Sequence, residues 1–285
     1  MRIANVDGRP TILTGVDRGI DVESASNGKY GGDWRNLYEN WGPFREWAEG
    51  VDTNDEVRFT RSQLGSPSPQ PRQIVATGLN YSTHVAEAGY TQSEILPPTF
   101  TKFPSSLAGP DVEVAVPSDG KVDWEVELVL IIGKTAHKVE VDDAWQHIAG
   151  VTIGQDITDR GMQFDGPHVQ WCLPKSFPNF SPVGPWLVTA DELRDRNDLG
   201  LKCAINGEIV QDARTSGMIF AVDRLLSTIS ETLTLYPGDI MFTGTPEGVG
   251  MAKNPQRWLQ PGEVLTSAIE GLGEMRQLFV ESSNS

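Results

Sequence analysis

Two glutamates stand two positions apart in the segment Asp123–Leu128. Side chains alternate between the two faces of a β-strand, so on a strand Glu125 and Glu127 project to the same side. Two carboxylates inside an otherwise apolar strand repel each other, and a hard divalent cation with oxygen ligands relieves that repulsion. The alternative is a wet face with two solvated glutamates, which Val129 and Ile131 on the same face make less favourable.

A third carboxylate, Asp156, stands at the end of a predicted strand, where ligands often bind. The alternative is a turn aspartate that binds nothing. Lys175 lies among apolar residues in Leu173–Phe177 and is a candidate partner for an acid. Its alternative is a surface lysine whose aliphatic stem passes its apolar neighbours. Both alternatives stay open at this level.

A histidine and a glutamate stand three positions apart in Ser82–Ala88. On a helical turn His84 and Glu87 come within contact distance, and a carboxylate that orients an imidazole gives a general base near neutral pH. A surface pair without function is the alternative. Gly78, Gly89 and the pair Pro97-Pro98 flank the segment and would let it act as a lid.

A glycine-rich loop, Phe242–Gly250, follows a predicted strand. Such a turn exposes backbone N–H groups, and here also the Thr245 hydroxyl, to a bound anion. The loop has neither the Gly-Lys-Ser/Thr of a P-loop nor a GxGxxG motif, so it does not indicate a nucleotide site.

The charge of the chain excludes several classes of partner. Its 285 residues include 39 acidic and 23 basic ones, a formal charge of −16, and this negative field argues against nucleic-acid and membrane partners. Cys172 and Cys203 lack CxxC spacing, which favours a reducing compartment over a disulfide scaffold. No apolar run reaches about 18 residues and no signal peptide is evident, so we expect a cytoplasmic protein.

The elements that must position these residues are mainly strands. Three prolines in Gly65–Pro71 divide a small N-terminal subdomain, residues 1–66, from a catalytic domain, residues 67–285. In the first part, residues 34–49 are predicted to be helical. Hydrophobic content is 38%, enough for a packed core.

Apolar runs between Gly and Pro turns predict the strands of the second part. They are residues 73–77, 122–132 and 151–153, the hairpin 202–211 around Asn206-Gly207, and strands after the turns 237–239 and 261–263. Asp142 is expected to cap a short helix that ends near Gly150. A second helix is predicted from Met218 to Ile229, whose apolar residues share one face. Because regular βα alternation is absent, we expect a mixed β fold with few helices (α+β).

The order and spacing of these motifs resemble the fumarylacetoacetate hydrolase family. The motifs that carry the resemblance are Gly78–Tyr81 with His84 and Glu87, Asp123–Leu128, Asp156–Arg160, Lys175–Phe177, Pro182–Trp186, Asn206–Glu208, Pro237–Asp239, Thr243–Pro246 and Gly271–Glu274. The resemblance covers residues 73–281 and covers the first 64 residues poorly.

The resemblance implies a β-roll core, a homodimer, and one Mg²⁺ or Mn²⁺ per subunit, with Ca²⁺ a substitute in a crystal. It implies three metal ligands, Glu125, Glu127 and Asp156, and an acid–base pair of His84 and Glu87 on a mobile lid. The residues implied to contact substrate are Lys175, which also has a catalytic role, Arg160, Gln163 and Thr245. Some larger members of the family have a four-carboxylate site, with an additional Asp just before the tyrosine that corresponds to Tyr81. Leu79 and Asn80 stand at that place in this chain, which therefore looks like the smaller three-carboxylate branch.

Such a site is suited to a small diketo or keto acid. We expect a hydrolase in which His84, oriented by Glu87, activates a water that attacks the distal carbonyl of a 2,4-diketo acid of the acylpyruvate type, and pyruvate leaves as an enolate. Decarboxylation of oxaloacetate or isomerisation of an unsaturated keto acid at the same site is the first alternative. A non-catalytic metal-binding β protein is the second.

Overall fold

The computed structural model describes residues 1–52, 54–118 and 120–282. The strands, in chain order, are β1 (Arg2–Val6), β2 (Arg9–Leu13), β3 (Arg18–Asp21), β4 (Glu56–Arg58), β5 (Leu64–Gly65), β6 (Ile74–Thr77), β7 (Thr99–Lys102), β8 (Leu107–Ala108), β9 (Asp111–Val116), β10 (Val122–Asp123), β11 (Val126–Ile132), β12 (Ile148–Gln155), β13 (Thr158–Asp159), β14 (Ser181–Val188), β15 (Gly200–Ile205), β16 (Glu208–Arg214), β17 (Ile240–Phe242), β18 (Val264–Ile269) and β19 (Gly273–Glu281). The α-helices are α1 (Val22–Ala25), α2 (Trp34–Glu39), α3 (Trp41–Ala48), α4 (Ser82–Glu87), α5 (Arg160–Gln163) and α6 (Val222–Ser230).

These strands pair in three sheets. The largest has the order β4-β3-β2-β1-β14-β12-β11-β17-β6-β7, with β5 beside β1 and β8 beside β14. A five-stranded sheet has the order β16-β15-β18-β19-β9, and β10 pairs with β13. Most neighbours are antiparallel, whereas β17–β6, β19–β9 and β14–β8 are parallel. The mixed sheets and the few, short helices confirm the predicted fold class.

Strand β11 lies at the centre of the largest sheet, between β12 and β17, and is buried on both faces. Leu128 and Leu130 face the main core, which also takes residues of the five-stranded sheet such as Leu201 and Leu265. Val129, on the opposite face, packs in a second cluster with Phe242. The alternative of a wet strand face is therefore wrong, because the neighbouring layers cover both sides.

The N-terminal residues extend this same sheet, because β1 pairs with β14. The division of the chain at residue 66 stays a prediction. The helix predicted over residues 34–49 is two helices that meet at Asn40. Pro43 explains the break: a continuous helix would bring its ring against the carbonyl of Glu39, whereas the first turn of α3 accommodates it.

Two helix boundaries were predicted wrongly. The segment expected from Asp142 to near Gly150 is a 3₁₀ helix, Val141–His147, with Glu140 at its N-cap, and β12 begins at once with Ile148. The helix expected from Met218 starts only at Val222.

The late start of α6 has a structural cause in Asn80. The backbone N–H of Ile219 donates to the Asn80 carbonyl at 2.7 Å, and that of Phe220 donates to the Asn80 side chain at 2.8 Å. These amides hold the chain beside the Gly78–Tyr81 segment, so residues 218–220 are not helical. The predicted hairpin is confirmed as β15 and β16, with positive φ at Asn206 and Gly207.

Among the described residues, no helix combines the length and the apolar character that a bilayer-spanning segment requires.

Truncating the central strand should test how much it contributes to the core. Leu130 is fully buried in β11, so we expect Leu130→Ala to lower the free energy of unfolding by about 2–5 kcal/mol in urea titrations. The control is Ile209→Ala in β16, where the side chain is exposed and the loss should be below about 1 kcal/mol. Equal losses for the two variants would contradict the central position of β11.

Candidate metal centre and active site

The fold brings three acidic side chains together at one end of β11 and β12. Glu125 directly precedes β11, Glu127 lies within it, and Asp156 directly follows β12. The antiparallel pairing of Val126 with Gln155 places these chain segments side by side. One carboxylate oxygen from each acid lies within 4.8 Å of the others.

All three carboxylates are buried. The exposed fractions of Glu125, Glu127 and Asp156 are 6%, 1% and 1%. Because they are buried, the two alternatives of solvated glutamates and a surface turn aspartate are excluded. A buried carboxylate needs a compensating charge or hydrogen bonds. Their spacing is one at which three carboxylate oxygens could hold one cation.

Two buried lysines lie among these carboxylates. The Lys175 Nζ donates to Glu125 Oε2 at 2.8 Å and to Asp156 Oδ2 at 2.6 Å. The Lys102 Nζ donates to Asp156 Oδ1 and to the carbonyl of Lys175, both at 2.6 Å. Lys175 is thus a buried partner of the acids, as one of its two interpretations predicted, and the surface alternative is wrong.

A buried arginine completes the cluster. The Nε of Arg160 donates to Asp123 Oδ2 at 2.9 Å, one terminal nitrogen donates to Glu125, and the other donates to Gln163 Oε1 at 2.8 Å. Asp123 also accepts the backbone N–H groups of Gly250 and Met251 at 2.6 and 3.1 Å. Asp123 therefore joins Arg160 to the glycine-rich loop.

The charges of this cluster do not balance. Four buried carboxylates, those of Asp123, Glu125, Glu127 and Asp156, face three buried cations, those of Lys102, Arg160 and Lys175. Burial, together with Asp156 and Glu125, raises the pKa of Glu127 well above its usual value. Although burial opposes ionisation of Glu125, Lys175 and Arg160 lower its pKa. The all-oxygen donor set of the three clustered acids fits a divalent cation.

Burial also acts on the two lysines, but with opposite outcomes. Burial lowers the pKa of Lys102, and Asp156 only partly counteracts that effect. Burial likewise disfavours the charged form of Lys175, but Asp156 and Glu125 together raise its pKa above the usual value. Lys175 is therefore a cation at neutral pH, placed between two of the three candidate ligands.

Two amides of the glycine-rich loop contact acidic side chains of the protein, while the predicted contact of Thr245 with substrate stays a prediction. The loop's backbone N–H groups bind carboxylates of the protein itself: Gly244 donates to Glu127 Oε2 at 2.6 Å, and Gly248 donates to both oxygens of Glu87 at 3.0 and 3.1 Å. The Thr245 hydroxyl donates to the Val126 carbonyl and accepts from Gln211, both at 2.9 Å. The loop therefore positions acidic side chains through the amides of Gly244 and Gly248.

The structure brings His84 and Glu87 together on α4. The Nδ1 of His84 lies 2.9 Å from Glu87 Oε1, and His84 is buried. Because Glu87 is held in turn by the Gly248 amide, the imidazole is fixed by a chain of two hydrogen bonds. This is the arrangement that a positioned general base requires.

One cavity connects the predicted site residues. Its polar lining is formed by His84, Glu125, Glu127, Arg160, Gln163, Lys175 and Thr245. Glu87 contacts His84 from outside this lining, and Asp156 lies behind Lys175. The metal-ligating, acid–base and substrate-contact roles assigned to these residues stay predictions, but their side chains share one site.

Sequence reasoning missed Lys102 and Asp123. Lys102 lies on β7 two positions after Phe100, so the two side chains share a strand face, and Phe100 lines the cavity. That alternation was the available signal for Lys102. Asp123 stood inside the Asp123–Leu128 motif, but its partners lie far along the chain at Arg160 and Gly250.

Removing single carboxylates should abolish binding of a divalent cation. We expect Glu127→Gln and Asp156→Asn to weaken Mn²⁺ binding by more than about 100-fold in calorimetric titrations, because each removes an anionic ligand from a hard cation. The control is Glu274→Gln, an exposed glutamate on β19, which should bind Mn²⁺ as the unmodified protein does. Full Mn²⁺ affinity in Glu127→Gln would contradict the ligand assignment.

Comparisons with known proteins identify the family of this chain. Residues 73–280 match the sequence model of the Fumarylacetoacetate (FAA) hydrolase C-terminal family. The Xenopus laevis protein named oxaloacetate tautomerase fahd2, mitochondrial, is 37% identical over 226 residues, which are 78% of this chain and 70% of that protein.

Solved structures extend the similarity over the whole chain. A Mycobacterium smegmatis protein crystallised under the name HpcE is 47% identical with a TM-score of 0.94, covering 99% of this chain and 100% of that one. Maleylpyruvate hydrolase from Sphingobium sp. SYK-6, in complex with a manganese(II) ion and pyruvate, is 29% identical with a TM-score of 0.81 at the same coverage. The chain belongs to the fumarylacetoacetate hydrolase family of enzymes.

Proposed function

We propose that this enzyme hydrolyses a C–C bond of a small 2,4-diketo acid and releases pyruvate and a carboxylic acid. The observation that carries the proposal is the trio of buried carboxylates, two of which, Glu125 and Glu127, line the same cavity as an imidazole held by Glu87. A bound Mg²⁺ or Mn²⁺ would polarise the 2-keto oxygen and the carboxylate of such a substrate.

The chain's own residues supply the proton transfers. His84, held through Nδ1 by Glu87, takes a proton from a water whose oxygen bonds to C4 of the substrate. The C3–C4 bond breaks, and its electron pair moves to C3 and is delocalised onto the 2-oxo oxygen as an enolate. His84 then returns the proton to C3, which gives pyruvate, while C4 leaves as the new carboxylic acid.

Two cationic side chains favour the negative charge that develops on the enolate. Lys175 and Arg160 line the cavity and both contact Glu125. Fixed positive charge beside the developing enolate stabilises it without reorganisation during the reaction. The structure of maleylpyruvate hydrolase, a relative that holds manganese and pyruvate together, supports the same product at this kind of site.

A second candidate function is keto–enol tautomerisation of oxaloacetate. It is favoured by the name of the Xenopus laevis relative. This reaction moves a proton between C3 and the enol oxygen, so it needs the base and the enolate-stabilising charges but no attacking water. Decarboxylation of oxaloacetate and isomerisation of an unsaturated keto acid use the same enolate and are further outcomes of a substrate panel.

The identity of the cation, the oligomeric state and the location are also proposals. We propose Mg²⁺ or Mn²⁺ as the cation, since carboxylate ligands suit both. We also propose a homodimer, which the sequence resemblance implies, and a cytoplasmic location, since two cysteines without CxxC spacing favour a reducing compartment. The Xenopus laevis relative is named as mitochondrial, and that location is the alternative for this chain.

Removing the imidazole should separate catalysis from metal binding. We expect His84→Ala to lower kcat by about 10² to 10⁴, because a positioned general base contributes that much, and to leave Mn²⁺ affinity unchanged. Glu87→Gln should reduce kcat less, since Glu87 acts by orienting the ring. The measurements are pyruvate release from acetylpyruvate and calorimetric Mn²⁺ titration.

The matched control is His137→Ala, because that histidine is exposed and lies outside the cavity lining. Its kcat should equal that of the unmodified enzyme. Near-normal turnover of His84→Ala across the pH range would show that the His84–Glu87 contact is structural and not catalytic.

Isotope labelling should separate hydrolysis from tautomerisation. Cleavage of acetylpyruvate in H₂¹⁸O should place the label in the acetate product, because the water oxygen bonds to C4. We also expect His84→Ala to impair this cleavage more than it impairs any decarboxylation of oxaloacetate. Rapid conversion of oxaloacetate, with no cleavage of any 2,4-diketo acid tested, would favour the second candidate.

A further inference from the structure

One wall of the active-site cavity is apolar. It is formed by Leu79, Tyr90, Phe100, Phe164, Trp171 and Met251. The rings of Phe100 and Trp171 pack with centroids 5.5 Å apart, and the Lys175 Nζ lies 5.2 Å from the centroid of Phe100. Phe100 is therefore the boundary between the charged part of the cavity and this aromatic wall.

A glycine allows the wall to approach the Gly78–Tyr81 segment. A Cβ at Gly78 would lie 3.1 Å from Trp171 and 3.7 Å from Phe100, so a larger residue would push the rings away. The next residue, Leu79, has a φ of +54°, which is unfavourable for a branched side chain. The fold accepts this strain where Leu79 lines the cavity.

The segments around the wall contain no strong base. Residues 85–98, 161–174 and 244–252 include no lysine or arginine, whereas they include Glu87, Glu94, Asp165 and Glu247. Their single histidine, His168, is exposed and outside the cavity lining. A carboxylate at this wall would therefore meet apolar surface, with no basic side chain from these segments to pair with it.

The cationic side chains that line the cavity already bind other side chains of the protein. Arg160 is held by Asp123, Glu125 and Gln163, and Lys175 is held by Glu125 and Asp156. The nearest other base to the lid, Arg224, binds the carbonyl of Glu94 and lies over the ring of Phe220. None of these provides a free positive charge for a second substrate carboxylate.

We propose that the substrate carries an uncharged, apolar acyl group beyond C4, and that this group binds against the aromatic wall. This inference rests on the proposed function, since it concerns the distal part of the 2,4-diketo acid. A distal carboxylate would be desolvated there without a partner, which a binding site strongly disfavours. Oxaloacetate ends at C4 and so does not reach the wall.

Two diketo acids of equal length test the proposal. Butyrylpyruvate (2,4-dioxoheptanoate) and succinylpyruvate (2,4-dioxoheptanedioate) differ only in a terminal methyl or carboxylate. With the Mn²⁺-loaded enzyme, we expect kcat/KM for butyrylpyruvate to exceed that for succinylpyruvate by at least about tenfold. Equal values, or a preference for succinylpyruvate, would overturn the proposal.

A charge added to the wall should change that preference. Tyr90 lines the cavity and is 42% exposed, so Tyr90→Arg can place a guanidinium there without disturbing the core. We expect it to shift the substrate ratio roughly three- to fivefold toward succinylpyruvate, the size of a partly exposed ion pair. The control Ile95→Arg puts the same charge on the same segment at a residue that is 88% exposed and outside the lining.

Ile95→Arg should change the ratio by less than about twofold, because solvent and salt screen a charge at that position. If Tyr90→Arg and Ile95→Arg shift the ratio equally, the wall does not contact the distal group. If neither diketo acid is cleaved, the proposed hydrolysis is wrong. Calorimetric titration of the two compounds into the Mn²⁺-loaded protein then tests whether the aromatic wall binds the distal group. Tighter binding of butyrylpyruvate would then support the apolar subsite, and equal binding would refute it.

Discussion

Four buried acidic side chains meet three buried basic ones at a single site, and the rest of the site depends on how these groups are held together. Asp156 is held by both lysines, Glu125 by Lys175 and Arg160, and Asp123 by Arg160 and two loop amides. Glu127 receives only the Gly244 amide among its short contacts in the described residues. A cluster of this kind is costly to bury unless further positive charge is bound. The close approach of Glu125, Glu127 and Asp156 makes this cluster a candidate site for a divalent cation.

The sheets convert this charge cluster into a defined geometry. Pairing of β11 with β12 fixes the distance between the glutamates and Asp156, because the backbone N–H of Asp156 also donates to the Glu125 carbonyl at 2.9 Å. The glycine-rich loop then holds acids on two sides of the cavity: Glu127 through Gly244, and Glu87 through Gly248. The loop thus joins Glu127, a candidate metal ligand, to Glu87 on α4, so one segment positions side chains of both candidate groups.

Much of this arrangement could be predicted from local patterns. Strand periodicity placed Glu125 and Glu127 on one side, helical spacing paired His84 with Glu87, and Asn206-Gly207 gave the hairpin. The late start of α6 came from a tertiary contact, because Asn80 binds the amides of residues 219 and 220. Local patterns also could not show that the Gly248 amide binds Glu87. Lys102 was missed because its partners, Asp156 and the Lys175 carbonyl, are more than fifty positions away. Sequence spacing cannot show which distant carboxylate a buried lysine will neutralise.

The metal assignment is tested most directly by locating the ion. Crystals of the protein grown with Mn²⁺ and pyruvate should give one strong anomalous peak per subunit at the manganese edge. The peak should lie about 2.1 Å from one oxygen each of Glu125, Glu127 and Asp156, the distance typical of a small, hard divalent cation. A peak elsewhere, or Lys175 still joining Glu125 to Asp156 with no ion beside them, would contradict the account of this site.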